Sequence, residues 1–277
     1  MKSIKHISDD KWLKMLLRSV KERTVDGIRF PGFPDDSIQS QFVGSSNEAA
    51  LREGFQFYKL VKGYASALGM PLGRSTKMLD FGCGWGRYLR IFSKDIAAEN
   101  LYGVDIDPTI LEECRKNDGP GKLELITPDG KLPYPDNYFD CVIAYSVFTH
   151  LPEHIHKLWV NEIARIAKPG CVFVLTLESL RFLEFVENID SANPPSDWHA
   201  GLSRFASDIP AYRKSYSEGK FVYLPTGGGD YRATDVYGDA VVPLKYVEQS
   251  WDKLFNIIDY IDDPKRFWQA VLVAQRP

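Results

Sequence analysis

Met78-Leu-Asp-Phe-Gly-Cys-Gly-Trp-Gly-Arg87 passes from an apolar run into three alternating glycines and then into helical spacing. A strand that turns through such a loop into a helix lets backbone amides at Gly82, Gly84 and Gly86 approach a ligand with no Cβ in the way. The spacing is GxGxG. A dinucleotide fingerprint, GxGxxG, asks for a small residue at position 87, where this chain has arginine. A phosphate loop would need Gly-Lys-Ser/Thr after the glycines, and none follows. Asp80 sets a carboxylate beside the loop, which suits a cationic group better than a pyrophosphate.

Downstream, short apolar runs alternate with amphipathic stretches, the signature of βαβ units and a parallel sheet. The pattern predicts strands over 76–81, 100–105, 122–126, 140–145 and 171–177, with helices starting near Trp85, Pro108 and Pro152. The helix after Pro152 is expected to stop at Lys168-Pro-Gly170. A helix over 246–254 and strands over 255–261 and 267–274 complete the chain. The connector 262–266 is too short for a crossover helix, so these two strands should pair antiparallel.

Upstream, Trp12, Met15, Leu16 and Val20, and again Leu51, Phe55, Tyr58 and Val61, recur at helical spacing around a turn-rich loop at 30–36. The expected organisation is a helical N-terminal cap over residues 1–70, followed by one α/β domain over 71–277. That domain should hold a doubly wound, Rossmann-like sheet of seven strands, the last antiparallel. Residues 178–243 interrupt the alternation with Asn193-Pro-Pro-Ser, Ile209-Pro and Thr226-Gly-Gly-Gly-Asp230 among scattered aromatics. They read as a long irregular, lid-like insertion before the last two strands, with Tyr231, Tyr237 and the 227–230 turn placed for acceptor recognition. A rigid oligomer interface is the rival reading of that segment.

Leu101-Tyr-Gly-Val-Asp-Ile-Asp107 ends in acids at a strand's carboxyl edge, about 20 residues past the glycine loop, where two ribose hydroxyls would be met. Asp105 is the better placed, because Asp107 precedes Pro108 and can simply cap a helix. Asp129, in Thr127-Pro-Asp-Gly130, is a further carboxylate just past a strand end.

In this order the chain resembles the class I S-adenosylmethionine (SAM)-dependent methyltransferases, closely over 75–177 and more loosely over the final strand pair. The carriers are LDFGCGWGR (79–87), GVDIDP (103–108), LPYPDNYFD (132–140) entering CVIAYS (141–146), and AKPGCVFVLTL (167–177). The resemblance implies SAM as cofactor. Asp80, Gly82, Gly84 and Gly86 would meet its methionine part and ammonium, with Cys83 in the same loop. Asp105 would hold the ribose, Ile106 would lie against the adenine, and Asp129 with Gly130 would take the adenine amino group. Tyr145 and Ser146 would sit beside the sulfonium. Trp85 is bulkier than such a loop needs and is expected to turn into helix packing.

The implied reaction is methylation of a small molecule at oxygen or nitrogen. Bacterial enzymes of this look often modify sugars or secondary metabolites. The family has no common pattern beyond residue 178, so the acceptor does not carry over. Two other readings stand beside it: a non-catalytic SAM-binding module acting through a protein partner, and a nicotinamide oxidoreductase, which Arg87 and Asp80 disfavour.

His150, in Ser146-Val-Phe-Thr-His-Leu151, is the candidate base; it can equally order its loop through a backbone group. His150, His154 and His156 spell HxxxHxH, but Pro152 puts His150 ahead of the helix and no second ligand motif accompanies them, so no metal is expected. Arg87 and Arg52 read as surface ion-pair formers, Asp235 and Asp239 as solvated loop acids, and Phe55 and Tyr58 as core. Cys83 reads as chosen for size, with no base adjacent in sequence to activate it.

The composition fits this picture. Lysines and arginines total 34 against 37 acids, a net charge of −3 over 277 residues, which argues against nucleic acid or an anionic membrane as partner. Four scattered cysteines and an N-terminus without an apolar leader lead to the expectation of a cytoplasmic protein with reduced thiols.

Overall fold

The computed structural model of the chain describes residues 7–228 and 232–277. Residues 1–6, on which part of the leader argument rests, and Tyr231 with its two preceding residues lie outside the described residues. The N-terminal segment folds as α1 (Asp9–Arg18), a small hairpin of β1 (Thr24–Val25) and β2 (Ile28–Arg29), α2 (Asp36–Val43) and the long α3 (Asn47–Ala67). The alternating part follows as β3 (Met78–Phe81), α4 (Arg87–Phe92), β4 (Leu101–Asp105), α5 (Pro108–Lys116), β5 (Lys122–Leu125), β6 (Phe139–Ala144), α6 (Glu153–Ile166) and β7 (Ala167–Leu177). After it come α7 (Leu180–Glu187), α8 (Asp197–Ser203), α9 (Ile209–Ser217), β8 (Val222–Leu224) and β9 (Asp239–Val241). The chain finishes with α10 (Leu244–Ser250), β10 (Asn256–Ile261) and β11 (Ala270–Gln275).

The main sheet has seven strands in the order β10-β11-β7-β6-β3-β4-β5. β3, β4, β5, β6 and β7 run parallel, and β11 is antiparallel to both of its neighbours. The order reverses at β3, and open sheets of this kind bind ligands outside the carboxyl ends of the strands at such a point. Successive side chains of a strand face opposite ways, and both faces here are apolar. Cys141, Ile143, Val172 and Val174 meet α1, α3 and α4 on one side. Val142, Ala144, Phe173 and Leu175 meet Trp159 of α6 and Trp251 on the other. The N-terminal helices thus share a core with the sheet, and each fully buried large apolar side chain contributes about 1.5–3 kcal/mol to that packing.

Some expected boundaries move. α6 ends at Ile166, before Lys168-Pro-Gly170, because Phe139 of β6 already pairs with Ala167 and pulls the next four residues into β7. The helix after the glycine loop starts at Arg87 rather than Trp85, with Gly86 as a left-handed cap at φ 82°. The larger correction concerns 178–243. Its described residues form α7, α8 and α9, a 3-10 turn at Ala206–Asp208 and a β8–β9 ribbon, with a core of Phe182, Leu183, Val186, Leu202, Ile209, Val222, Leu224 and Val241. Serines start two of the helices: Ser179 accepts from Arg181 N and Ser196 from His199 N.

His156 of α6 is fully buried, and neither ring nitrogen has a hydrogen-bond partner among the described residues. Phe148, Phe221 and Trp251 surround it at 5.0, 5.3 and 5.6 Å between ring centres. Burial, with Lys157 adding to it, lowers its pKa from 6.5 to about 3. The unfolded chain therefore binds a proton here that the folded chain refuses between those values. Stability should fall as pH drops below 6.5, by up to about 1.4 kcal/mol per pH unit. Asp80 and Glu178, held protonated up to about 8 by burial, act in the opposite direction between their unfolded values and that pH. Urea unfolding of the wild type and His156→Leu at neutral and mildly acidic pH separates the contributions. The variant should lose less stability on acidification; parallel curves would refute the assignment.

Candidate functional site

The carboxyl ends of β3, β4, β6 and β7 open into one cavity of about 1350 Å³, roofed by α2, α3 and the 178–243 segment. β3 delivers Gly82 and Gly84, β4 delivers Asp105 and Ile106, and the turn after β6 delivers Tyr145, Ser146 and His150. Gly82 has φ 78°, and a Cβ there would lie 2.3 Å from Val147 Cγ2, so only glycine fits. The loop amides, however, are not free for a ligand as the sequence suggested. Gly82 N and Cys83 N donate to Val104 O, Gly84 N donates to Asp105 Oδ2 at 2.9 Å, and Gly86 N donates to Cys83 O. The bonds lock the loop, and what the glycines offer the cavity is their bare Cα surface.

Asp105 accepts from Gly84 N on one oxygen and from Asp107 N at 3.0 Å on the other. Burial raises its pKa, and these two hydrogen bonds counter that. Asp107 caps α5 by accepting from Thr109 N and Ile110 N, and its other oxygen lies 3.3 Å from Arg232. Asp80 is buried with Oδ2 unpartnered; burial pushes its carboxyl up to about 8, against the pull of Arg87. The unpartnered Oδ2 fits an arriving cation such as the SAM ammonium, whose charge would draw the carboxyl into its ionised form. Asp80 and Gly86 do not themselves line the cavity, nor do Asp129 and Gly130. Asp129 is exposed, while its neighbours Ile126 and Pro128 line the wall. Trp159 Nε1 pins that rim by donating to Pro128 O at 2.8 Å.

Arg87 is buried, not a surface ion-pair former. It lies 3.6 Å from Glu53, donates to Ala50 O, and stands over the rings of Tyr88 and Tyr145 at 4.8 and 5.1 Å. Tyr145 in turn donates its hydroxyl to Glu53 Oε1 at 2.6 Å. Arg52 does stay at the surface, beside Glu48. Trp85 packs with Ala50 and Ile110, as expected, but also contributes to the cavity lining.

His150 lies against the ribbon. β9 is tied by its backbone to the sheet: Gly238 N donates to His150 O, Ala240 N to Thr149 O, and Val242 N to Glu178 O. This seats the ring of Tyr237 on the imidazole of His150 at 4.5 Å and sets Asp239 Oδ1 3.7 Å from His150 Nδ1. Nδ1 is 2.8 Å from Gly238 O; a carbonyl only accepts, so Nδ1 carries the hydrogen and Nε2 keeps the lone pair. Burial holds the imidazole below its ordinary value, with Asp239 pulling the other way. Asp239 is buried in β9 rather than solvated, whereas Asp235 is exposed. His154 is exposed and His156 belongs to the core, so the HxxxHxH run does not converge.

The lining residues that escaped the sequence reading include Glu53, Glu178, Arg232 and Gln269. Glu178 directly follows β7, and the strand-end rule that picked out Asp105 would have found it. The others arrive from distant segments and left no local signal.

Residues 79–175 match the family model described as "Methyltransferase domain". The chain is 30% identical over 102 residues to a 2-methyl-6-phytyl-1,4-hydroquinone methyltransferase of Synechocystis, covering 36% of this chain and 31% of that protein. It is 36% identical over 95 residues to a ribosomal protein L11 methyltransferase of Burkholderia cenocepacia, covering 34% and 29%. The chain thus spans about a third of the length of these relatives. In fold it is similar to the crystal structure of magnesium protoporphyrin IX methyltransferase from Synechocystis with bound SAH, at a TM-score of 0.52 and 16% identity, over 87% of this chain and 94% of that one. With the sheet order, the antiparallel last strand and the glycine loop in place, residues 79–175 match a methyltransferase domain.

Proposed function

We propose that the chain transfers a methyl group from SAM to a small-molecule acceptor at oxygen or nitrogen. The observation that carries this is the continuity of one cavity from the glycine loop and Asp105 to His150, Glu178 and Asp239. When bound, SAM supplies an electrophilic methyl carbon. The protein's part is then positioning, water exclusion and handling of one proton.

In this reading Asp105 takes the ribose hydroxyls, Ile106 lies against the adenine, and Asp129 with Gly130 closes the adenine edge. Asp80 answers the ammonium from below the loop of Gly82, Cys83, Gly84 and Gly86. Tyr145, fixed by Glu53, borders the reacting centre, and His150 Nε2 takes the acceptor's proton. The 1–70 segment and the 178–243 segment act as covers of a 71–277 catalytic domain. The buried acids lining the cavity favour a small acceptor over a protein one.

Calorimetry is the first test. SAH should bind with micromolar affinity and NAD should give no heat; the reverse would overturn the cofactor assignment. Transfer of labelled methyl to a metabolite panel then separates an enzyme from a binding module.

A further inference from the structure

We propose that the acceptor is an amine, entering as its ammonium ion and held between the carboxylates of Glu178 and Asp239. This rests on the methyltransferase reading and narrows it to one substrate class.

Both acids line the cavity and are only 6% and 2% exposed. They come from the end of β7 and from β9, which Val242 N ties together by donating to Glu178 O at 2.9 Å. Among the described residues neither is ion-paired with a lysine or arginine; Arg181, the nearest sequence neighbour able to pair, is engaged with Asp262. Asp239 accepts from Thr226 Oγ1 at 2.5 Å and more weakly from Trp198 Nε1, so the local protein donors are already spent on it.

Gln269 supplies the independent observation. It is 8% exposed and lines the same wall; its Nε2 donates to Ser146 Oγ at 3.0 Å, and its Oε1 is buried with no partner. Among Glu178, Asp239 and Gln269 the buried atom left without a partner is an acceptor, which a donor-bearing ligand would satisfy.

Charge decides between a polyol and an amine. Burial pushes the Glu178 carboxyl up to about 8, and Asp239 adds to this against the pull of Gln269. Asp239 is raised by burial too. A neutral hydroxyl leaves Glu178 protonated at neutral pH, whereas an ammonium draws both acids into the carboxylate form, its charge-assisted hydrogen bonds offsetting the cost of burial. Trp198 and Trp268 border the cavity, with Phe185 packed against both at 5.6 and 5.3 Å, and their π faces suit a cation on entry. For transfer, the ammonium nitrogen gives one proton to His150 Nε2, which passes it to water. The freed lone pair forms the N–C bond to the methyl carbon as the C–S bond breaks, its electron pair staying on sulfur.

The test is calorimetry on the full chain saturated with SAH. Benzylamine, phenethylamine, cyclohexylamine and putrescine are each compared with the alcohol or diol of the same skeleton at neutral pH. At least one amine should bind about tenfold tighter than its alcohol. Glu178→Gln and Asp239→Asn should each erase that preference while SAH still binds, which also reports that the variants are folded. Equal binding of every amine and its alcohol overturns the proposal, as does a preference that survives both substitutions. Failure of the wild type to bind SAH at all overturns the methyltransferase reading, and the amine assignment falls with it.

Discussion

His150→Gln should lower kcat by about 10²–10⁴-fold, the range expected for loss of a general base, while leaving SAH affinity and Tm near wild type. Nδ1 is committed to Gly238 O, so the only proton acceptor on the ring is Nε2. Burial keeps the imidazole neutral at neutral pH, the state a base must be in before reaction. Glutamine can still donate to the Gly238 carbonyl, so the turn after β6 should hold. The pH dependence of kcat/KM should also change, because the acid limb of the wild-type profile reports this imidazole. A variant that turns over normally and keeps the limb would reduce His150 to an ordering role for its loop.

Asp105→Ala should weaken SAH binding by about 1–3 kcal/mol, roughly 5–150-fold. Two losses combine. The ribose hydroxyls lose a charged acceptor, and Gly84 N loses the carboxylate that fixes the glycine loop. Asp107→Ala is the contrasting variant: it removes a cap from α5, costing about 1 kcal/mol of stability, with a smaller effect on SAH. Titration of both variants decides between them. If Asp107→Ala is the one that loses cofactor, the ribose acid has been misassigned.

How far the sequence leads follows from where each signal is stored. Strands buried on both faces, such as Cys141–Val142–Ile143–Ala144, announce themselves by unbroken apolarity, and β3, β4, β6 and β7 fall within a few residues of expectation. β7 begins early because pairing with Phe139 is a tertiary event that no local pattern records. The helices α7, α8 and α9 are 8, 7 and 9 residues long, too short to persist without the core they share. Ser179 and Ser196 cap two of them, but the prolines and glycines around them read as loop.

At the site, Asp105 was legible because a strand end fixes its address. The Glu53–Tyr145 bond joins residues 92 apart, and Arg87 is buried by helix α3 rather than by its own neighbours. The glycine loop shows a subtler limit: composition reveals that the backbone can bend sharply there, not where its amides will point.

The three backbone bonds that fasten 238–242 to the turn after β6 and to the end of β7 divide the 178–243 segment into two differently constrained parts. The ribbon's second strand carries Asp239 and steadies His150, so its register is tied to the chemistry. Helices α8 and α9 touch that machinery mainly through Trp198 and can drift in sequence without disturbing it. Grafting 196–220 from a relative of the same architecture should therefore retune which acceptor enters while the proton-handling apparatus is inherited unchanged, making this stretch the natural target for directed evolution of substrate range.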